Sequence, residues 1–240
     1  MSSLVNDPKN SELIKPVIRG RDVQRFKLGD IRSFLINTHN GVKDENIERV
    51  EIDDYPVIKK YLNGFGDKLS DRYDQGDTKY NLRNCAYLNE FKKEKVIWKR
   101  IGSSLRFSYS GDEIFGLDST CIATGEKIKY LTALLNSKLC QYQLFEKSPR
   151  TGMGDLIISV QALHPLQVYY PKDQEEQTIV NLVDQILEKK DNDEDTTELE
   201  NQIDLMVYRL YDLTYEEVKV VDEEFEMGRE EYKSLEVETL

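Results

Sequence analysis

Glu90-Phe91-Lys92, with Asp77 upstream, has the residue types of a metal-dependent nuclease, where an aspartate and a Glu-x-Lys pair on adjacent strands hold a divalent ion. Residues 86–93 read as loop or helix end, however, and a Glu-x-Lys triplet arises by chance in a chain this rich in both residues. His39 and His164 are the only histidines and have no Cys or His at metal-ligand spacing beside them. Asp191, Asp193 and Asp195 imitate a calcium loop, but Thr196 stands where its glycine is needed and Gln202 where its last acid is needed. Gly152-Met153-Gly154 is an isolated G-x-G, placed before a strand rather than after one, so it is not a dinucleotide fingerprint. No P-loop, no nucleophile elbow and no Pro-Pro-aromatic turn of an amino-methyltransferase is present. These residues assign no catalytic side chain, no cofactor site and no metal site.

Charge is the stronger signal. The chain has 240 residues and a formal charge of −12, yet 172–240 hold 7 Lys/Arg against 23 Asp/Glu, which leaves 26 against 22 over 1–171. Within 79–110 the basic residues Lys79, Arg83, Lys92, Lys93, Lys95, Lys99, Arg100 and Arg106 face only Glu90 and Glu94. A phosphate-binding surface needs local positive potential, so an acidic tail does not veto nucleic-acid binding by the body. With 39% hydrophobic and 32% charged residues the composition is globular. No apolar run approaches the roughly 20 residues of a membrane span, and no secretory signal is visible. Cys85, Cys121 and Cys140 read as reduced, small apolar side chains, as in a cytoplasmic protein.

The elements that must position these residues alternate in type. Strands are expected at 33–38, 96–101 and 105–110, with a β hairpin over 115–123 and further strands at 156–160 and 166–170. A helix entered at Pro56 covers 55–73, with Gly64 and Gly66 inviting a break, and a second covers 128–145. After Pro171 come two amphipathic helices, the second opened by a capping box at Thr197 and Glu200; another box at Thr214 and Glu217 opens a short third helix. Residues 223–240 read as frayed or extended. The fold class is α+β: a twisted, mixed or antiparallel sheet with flanking helices, then a C-terminal helical hairpin. Two domains follow, a body over 1–171 and an acidic hairpin and tail over 172–240.

KPVIRGRDVQRF (15–26), DYPVIKKYL (54–62), YNLRNCAY (80–87), KVIWKRI (95–101), LDSTCIATG (117–125) and LTALLNSKL (131–139) occur in this order. LVDQILEKK (182–190) and ELENQIDLMVYRLYDLT (198–214) continue the series. Together they resemble the TaqI-like C-terminal specificity domain of adenine-specific DNA methyltransferases and type IIG restriction-modification enzymes. Glu176, Gln177 and Ile179 also resemble the helix start that follows the recognition half of type I specificity subunits. The resemblance implies sequence-specific recognition of double-stranded DNA, in the bacterial cytoplasm, by a domain whose catalytic partner is a methyltransferase domain of the same polypeptide. S-adenosylmethionine would belong to that catalytic domain, not to this chain.

Under that reading the candidate DNA-binding residues fall in three places. Lys99, Arg100, Ser103, Ser104 and Arg106 cluster around Gly102, where a strand–turn–strand would enter the major groove. Lys147, Arg150 and Thr151 lie on a glycine-rich loop over 147–155, and Arg83 and Asn84 sit between two tyrosines. Arg19 and Arg21 flank Gly20 and read more readily as structural residues of a turn, and Trp98 as core. The rival readings are the nuclease using Glu90 and Lys92, and a protein-docking module built on the acidic helices.

Overall fold

The computed structural model describes residues 8–235. In chain order these form α1 (Pro8–Ser11), β1 (Ile14–Ile18), β2 (Ser33–Ile36), α2 (Pro56–Asn63), α3 (Asp67–Ser70), β3 (Lys95–Lys99), β4 (Ile101–Gly102) and β5 (Phe107–Ser110). Then come β6 (Phe115–Gly116), β7 (Thr120–Thr124), α4 (Ile128–Asn136), α5 (Lys138–Lys147), β8 (Leu156–Ile157) and α6 (Val160–Leu163). Four helices close the chain: α7 (Asp173–Asp191), α8 (Thr197–Leu210), α9 (Tyr215–Val221) and α10 (Arg229–Ser234). This is the expected α+β class. Two compact units result, one from residues up to 18, 31–93 and 111–115, the other from 19–30, 94–110 and 116 onward. The shift in charge at Pro171 lies inside the second unit.

In the first unit β1 pairs antiparallel with β2, Ile14 opposite Ile36, in a sheet of order β2-β1-β6. Leu13, Val50, Ile52 and Ile58 form its core. Pro56 starts α2 at the position where a missing N–H costs nothing, and the expected break follows: Gly66 takes a φ of 55° before α3. The polar stretch 38–41 serves the fold itself. Thr38 is buried and donates to the Tyr80 carbonyl at 2.7 Å, while buried Asn81 donates to the Val50 carbonyl at 3.0 Å.

In the second unit β3 is the centre of a sheet of order β5-β3-β7, antiparallel to both neighbours. Val96, Trp98 and Phe107 pack with Ile128, Leu135 and Leu144 from the helices, so Trp98 is core as expected. Segment 115–123 is not a hairpin: β6 joins the β1 sheet and β7 pairs with β3. The single helix expected over 128–145 is two, because Ser137 turns the chain. Its hydroxyl donates to the Leu134 carbonyl at 2.7 Å and accepts from the Cys140 N–H at 3.3 Å, capping α5. Just before it, buried Asn136 donates to the Phe107 carbonyl at 2.7 Å and accepts from the Phe107 N–H at 3.2 Å, standing in for a neighbouring strand.

The helical pair α7–α8 forms as the periodicity requires. Ile179, Val183, Ile186, Ile203, Met206 and Val207 are at most 1% exposed and share one core with Tyr130, Ala133 and Leu134 of α4 and Leu139 and Cys140 of α5. Both apolar faces are thus filled within the unit. Thr196, not Thr197, is the N-terminal flank of α8: its hydroxyl donates to Glu200 at 2.7 Å, and Glu200 also accepts from Arg25 rather than closing a box. The box at Thr214 and Glu217 does form. Segment 166–170 is not a strand. The Tyr211 hydroxyl donates to the Gln167 carbonyl at 2.7 Å and accepts from the Tyr169 N–H at 2.9 Å, which occupies backbone groups a ladder would need. Residues 229–234 are helical rather than frayed, pinned by buried Tyr232, which donates to the Leu213 carbonyl at 2.8 Å; 236–240 lie outside the described residues.

Two outcomes test this packing. Asn136→Ala removes the side-chain acceptor of the buried Phe107 N–H, while the Phe107 carbonyl keeps the Phe26 N–H at 2.9 Å, so urea unfolding should show a loss of about 1–3 kcal/mol. Asp204 is buried and accepts the Lys138 N–H at 2.7 Å. Burial raises its carboxyl to about 6, against the pull of that N–H and of Arg25 and Lys138, with Asp222 adding to the rise. A folded-state pKa above the unfolded one stabilises fully below about pH 4, and that contribution is lost as pH rises through about 6. Asp204→Asn should therefore stabilise the protein by about 1–3 kcal/mol at neutral pH and have much less effect at about pH 4, read from paired urea titrations.

Candidate nucleic-acid interface

The structure brings the first two candidate segments together. The β3–β5 register runs as far as Trp98 opposite Phe107 and Lys99 pairs only with Thr120 of β7, so 100–106 is an excursion from the sheet rather than a continuous hairpin. Within it β4 pairs antiparallel with β8, Ile101 opposite Ile157. Arg150 in turn bridges to Leu156, and the Ile157 N–H donates to the Pro149 carbonyl at 2.8 Å. The result is a narrow ribbon of 149–151, 156–158 and 100–102. It is tied to the core where the Ile158 N–H donates to the Arg100 carbonyl at 2.8 Å and the Trp98 indole donates to the Ile158 carbonyl at 2.8 Å. Because Arg100 sits in a bend between β3 and β4, the simple alternation that would put Arg100 and Arg106 on one face does not govern them.

Glycines allow this approach. A Cβ on Gly20 would lie 2.7 Å from the Lys99 Cγ and 2.9 Å from the Ser119 carbonyl oxygen, and one on Gly102 would lie 3.1 Å from the Lys99 Nζ. The Lys99 stem therefore runs alongside two bare backbones. Ser119 joins the pieces: its hydroxyl accepts from the Gly20 N–H at 3.0 Å and its carbonyl from the Arg100 N–H at 3.0 Å. This sets Arg19 and Arg21 beside Lys99 and Arg100. Arg21 lies 3.8 Å from Asp22, and the Arg19 N–H donates to Asp22 at 2.8 Å, so part of this motif is structural. The Arg19 side chain is exposed and has no carboxylate partner among the described residues. The sequence reading assigns Arg19 to the structure of the turn, on the glycine beside it in the RGR triplet.

Charge pairing separates these residues from their neighbours. Lys27–Asp191 (2.5 Å), Lys129–Asp184 (2.6 Å), Lys138–Asp222 (2.8 Å), Lys127–Glu176 and Arg25–Glu200 all join the body of the second unit to its acidic tail. Burial would raise the Glu200 carboxyl, but Arg25, Thr196 and Lys190 together bring it below its ordinary value. By contrast Arg19, Lys99, Arg100, Arg106 and Lys147 are exposed and have no carboxylate partner among the described residues. Ser103 and Ser104 are exposed in the following bend. Lys95, counted by sequence as part of the basic stretch, is fully buried and adds nothing to the surface.

Arg150 and Thr151 brace the ribbon. Arg150 donates to the Gly154 and Phe145 carbonyls, both at 3.2 Å, and lies 4.4 Å from the Phe145 ring centroid. The Thr151 hydroxyl accepts from the Asp155 N–H at 3.1 Å and closes the turn. Arg83 and Asn84 belong to the first unit, where Arg83 lies 3.6 Å from Asp74 and the Asn84 oxygen accepts from Asn40 at 2.6 Å. Both are exposed. Glu90 and Lys92 share one 3-10 turn with Glu90 paired to Lys93 at 2.6 Å, and Asp77 lies in a loop bonded to Asn40. The adjacent-strand pair that the nuclease reading needs is therefore not formed.

Residues 15–159 match the family described as the TaqI-like C-terminal specificity domain. The match covers more than half of the chain. The protein belongs to this family, the DNA-recognition domains of restriction-modification enzymes. Among solved structures, the Type IIL restriction-modification enzyme MmeI, determined in complex with DNA, aligns with 100% of this chain and 33% of its own at 11% identity and a TM-score of 0.63. The type IIG restriction endonuclease BpuSI aligns with 75% of this chain and 23% of its own at 11% identity and a TM-score of 0.46. At this identity the likeness to MmeI is one of fold, and the chain spans about a third of MmeI's length. No curated protein matches the chain in sequence. Among the described residues no helix is long and apolar enough to cross a membrane.

If Gly20 makes room for Lys99, Gly20→Ala should destabilise the protein by about 1–3 kcal/mol in urea, since one of the atoms it meets is backbone that cannot step aside.

Proposed function

We propose that the 100–102/149–158 ribbon is the reader of a target-recognition domain and contacts double-stranded DNA. The observation that carries this is the pairing pattern. The tail's carboxylates pair with Arg25, Lys27, Lys127, Lys129 and Lys138, while Arg19, Lys99, Arg100, Arg106 and Lys147 are exposed and have no carboxylate partner among the described residues. Lysines at 99 and 147 suit phosphates as point charges, whereas guanidinium groups at 100 and 106 suit bidentate contact with guanine. Ser103 and Ser104 offer hydroxyls to base edges, and Arg83 and Asn84 of the first unit supply a guanidinium and an amide. Arg150 and Thr151 hold the ribbon in shape and keep further donors exposed. The same polypeptide would carry a fused N6-adenine methyltransferase of type IIG character, working in the bacterial cytoplasm with S-adenosylmethionine held in that catalytic part.

Selection of bound DNA from a random duplex pool by the full chain tests the reading. Affinity should fall steeply with salt, by roughly 0.9 in the log–log slope for each phosphate neutralised, and Lys99→Ala and Lys147→Ala should each flatten it by about one such step. Arg100→Ala and Arg106→Ala should instead relax discrimination at single base pairs by about 1–3 kcal/mol. Retention that is equal at low and high salt would refute an electrostatic footprint on DNA.

A further inference from the structure

Met153 is 95% exposed, and it stands at the tip of the ribbon rather than on a helix or sheet face. A large apolar side chain in water is not rare in itself; its mounting is unusual. Gly152 and Gly154 flank it, Gly154 with a φ of 90°, and a Cβ added at either would meet nothing within 4 Å. The tip therefore has open space beside both glycines, and Met153 is the one side chain projecting between them. The turn beneath is heavily tied. The Thr151 N–H donates to the Asp155 carbonyl at 2.8 Å, the Gly154 N–H to the Thr151 carbonyl at 2.9 Å, and Arg150 to the Gly154 carbonyl at 3.2 Å. Arg100 lies on the same ribbon and Lys147 ends the helix α5 that leads into it, both with no carboxylate partner among the described residues.

We propose that Met153 is a wedge: with the ribbon seated on duplex DNA, its side chain enters the base stack and opens one step. Basic side chains that hold the backbone, an apolar group on a narrow tip, and a turn that does not give way are together what unstacking requires. Methionine is unbranched and polarizable, so it fills the irregular gap between two base pairs without demanding one sequence there. The charges would supply most of the affinity, and the wedge a deformation whose cost depends on the step being opened, so it contributes selectivity. This rests on the reading of the ribbon as the DNA-contacting surface.

The test uses the full chain and a duplex of about 30 base pairs recovered from the random pool, with 2-aminopurine placed at successive positions. Wild-type binding should raise the fluorescence about twofold or more at one step. Met153→Ala should abolish that rise and weaken binding roughly tenfold with an unchanged salt slope, while Met153→Leu keeps both. Exposure of the side chain means that neither variant should alter the circular dichroism. A rise that persists in Met153→Ala, or no response at any step under saturating wild-type protein, overturns the wedge. A contact of Met153 with a thymine methyl is one such result, seen as affinity lost on replacing thymine with uracil and no fluorescence change. If wild-type protein binds no duplex in a salt-sensitive way, the ribbon reading itself falls, and the wedge with it.

Discussion

The second unit depends on the seating of α7 and α8 against α4 and α5. Burying a Leu, Ile or Val side chain stabilises by roughly 1.5–3 kcal/mol, and Ile179, Val183, Ile186, Ile203 and Val207 are all essentially inaccessible. Surface ion pairs contribute about 0–1 kcal/mol each and part-buried ones must also offset desolvation, so the five that join tail and body do not drive this docking. What they do is select. Once the apolar faces have fixed the helices, each carboxylate meets one particular base, and Glu200 meets two, Arg25 and Lys190. The hydrophobic contact decides where the acidic helices lie, and that placement decides which cations of the body remain available.

The available cations would be of little use on a loose loop, because ordering long side chains and a backbone at the moment of binding subtracts from affinity. Here the backbone is ordered in advance. Trp98 binds the Ile158 carbonyl from inside the core, Arg100 binds Ile158 through its own carbonyl, and Ser119 holds Gly20 and Arg100 together. Short strands suffice because each is anchored by a group of the core rather than by a long ladder. The cost is a position that a side chain cannot enter without a shift of backbone, Gly20, and a tight one at Gly102.

Much of this was legible in the sequence where periodicity and capping carry the information. The α7–α8 pair, the Thr214 cap, the break after Pro56–Asn63 and buried Trp98 follow from patterns local to a few residues. Three of the differences share a cause: a side chain captured the backbone or the cap. Glu200 was diverted by Arg25, 166–170 was held off a ladder by Tyr211, and 128–145 was divided by the Ser137 hydroxyl. At the candidate interface, residue types pointed to both segments but not to their union, since nothing local predicts that β4 pairs with β8. Nor does sequence charge distinguish Lys95, buried in β3, from Lys99 four residues on. The glycine that suggested a turn at Arg19 is also what lets Lys99 lie beside it, a closeness that no local pattern announces.

A protein of charge −12 that approaches a polyanion gains orientation from the mismatch. A carboxylate paired with a lysine behaves as a dipole, whose field falls off faster than that of a charge, so the five paired acids do little to repel a phosphate at a distance. The unpaired acids of the tail do repel it, within the roughly 8–10 Å over which charges act at physiological salt. If the ribbon is the face that meets DNA, as proposed, juxtaposing like charges penalises dockings that bring the unpaired acids of the tail to the phosphates. The same repulsion lowers binding to arbitrary DNA, which is driven by phosphates alone. For a domain that must find one site among a genome of competitors, the ratio of specific to non-specific binding matters more than affinity itself. An acidic tail that neutralises five cations of its own unit and leaves those beside the ribbon without a carboxylate would therefore favour discrimination at the expense of strength.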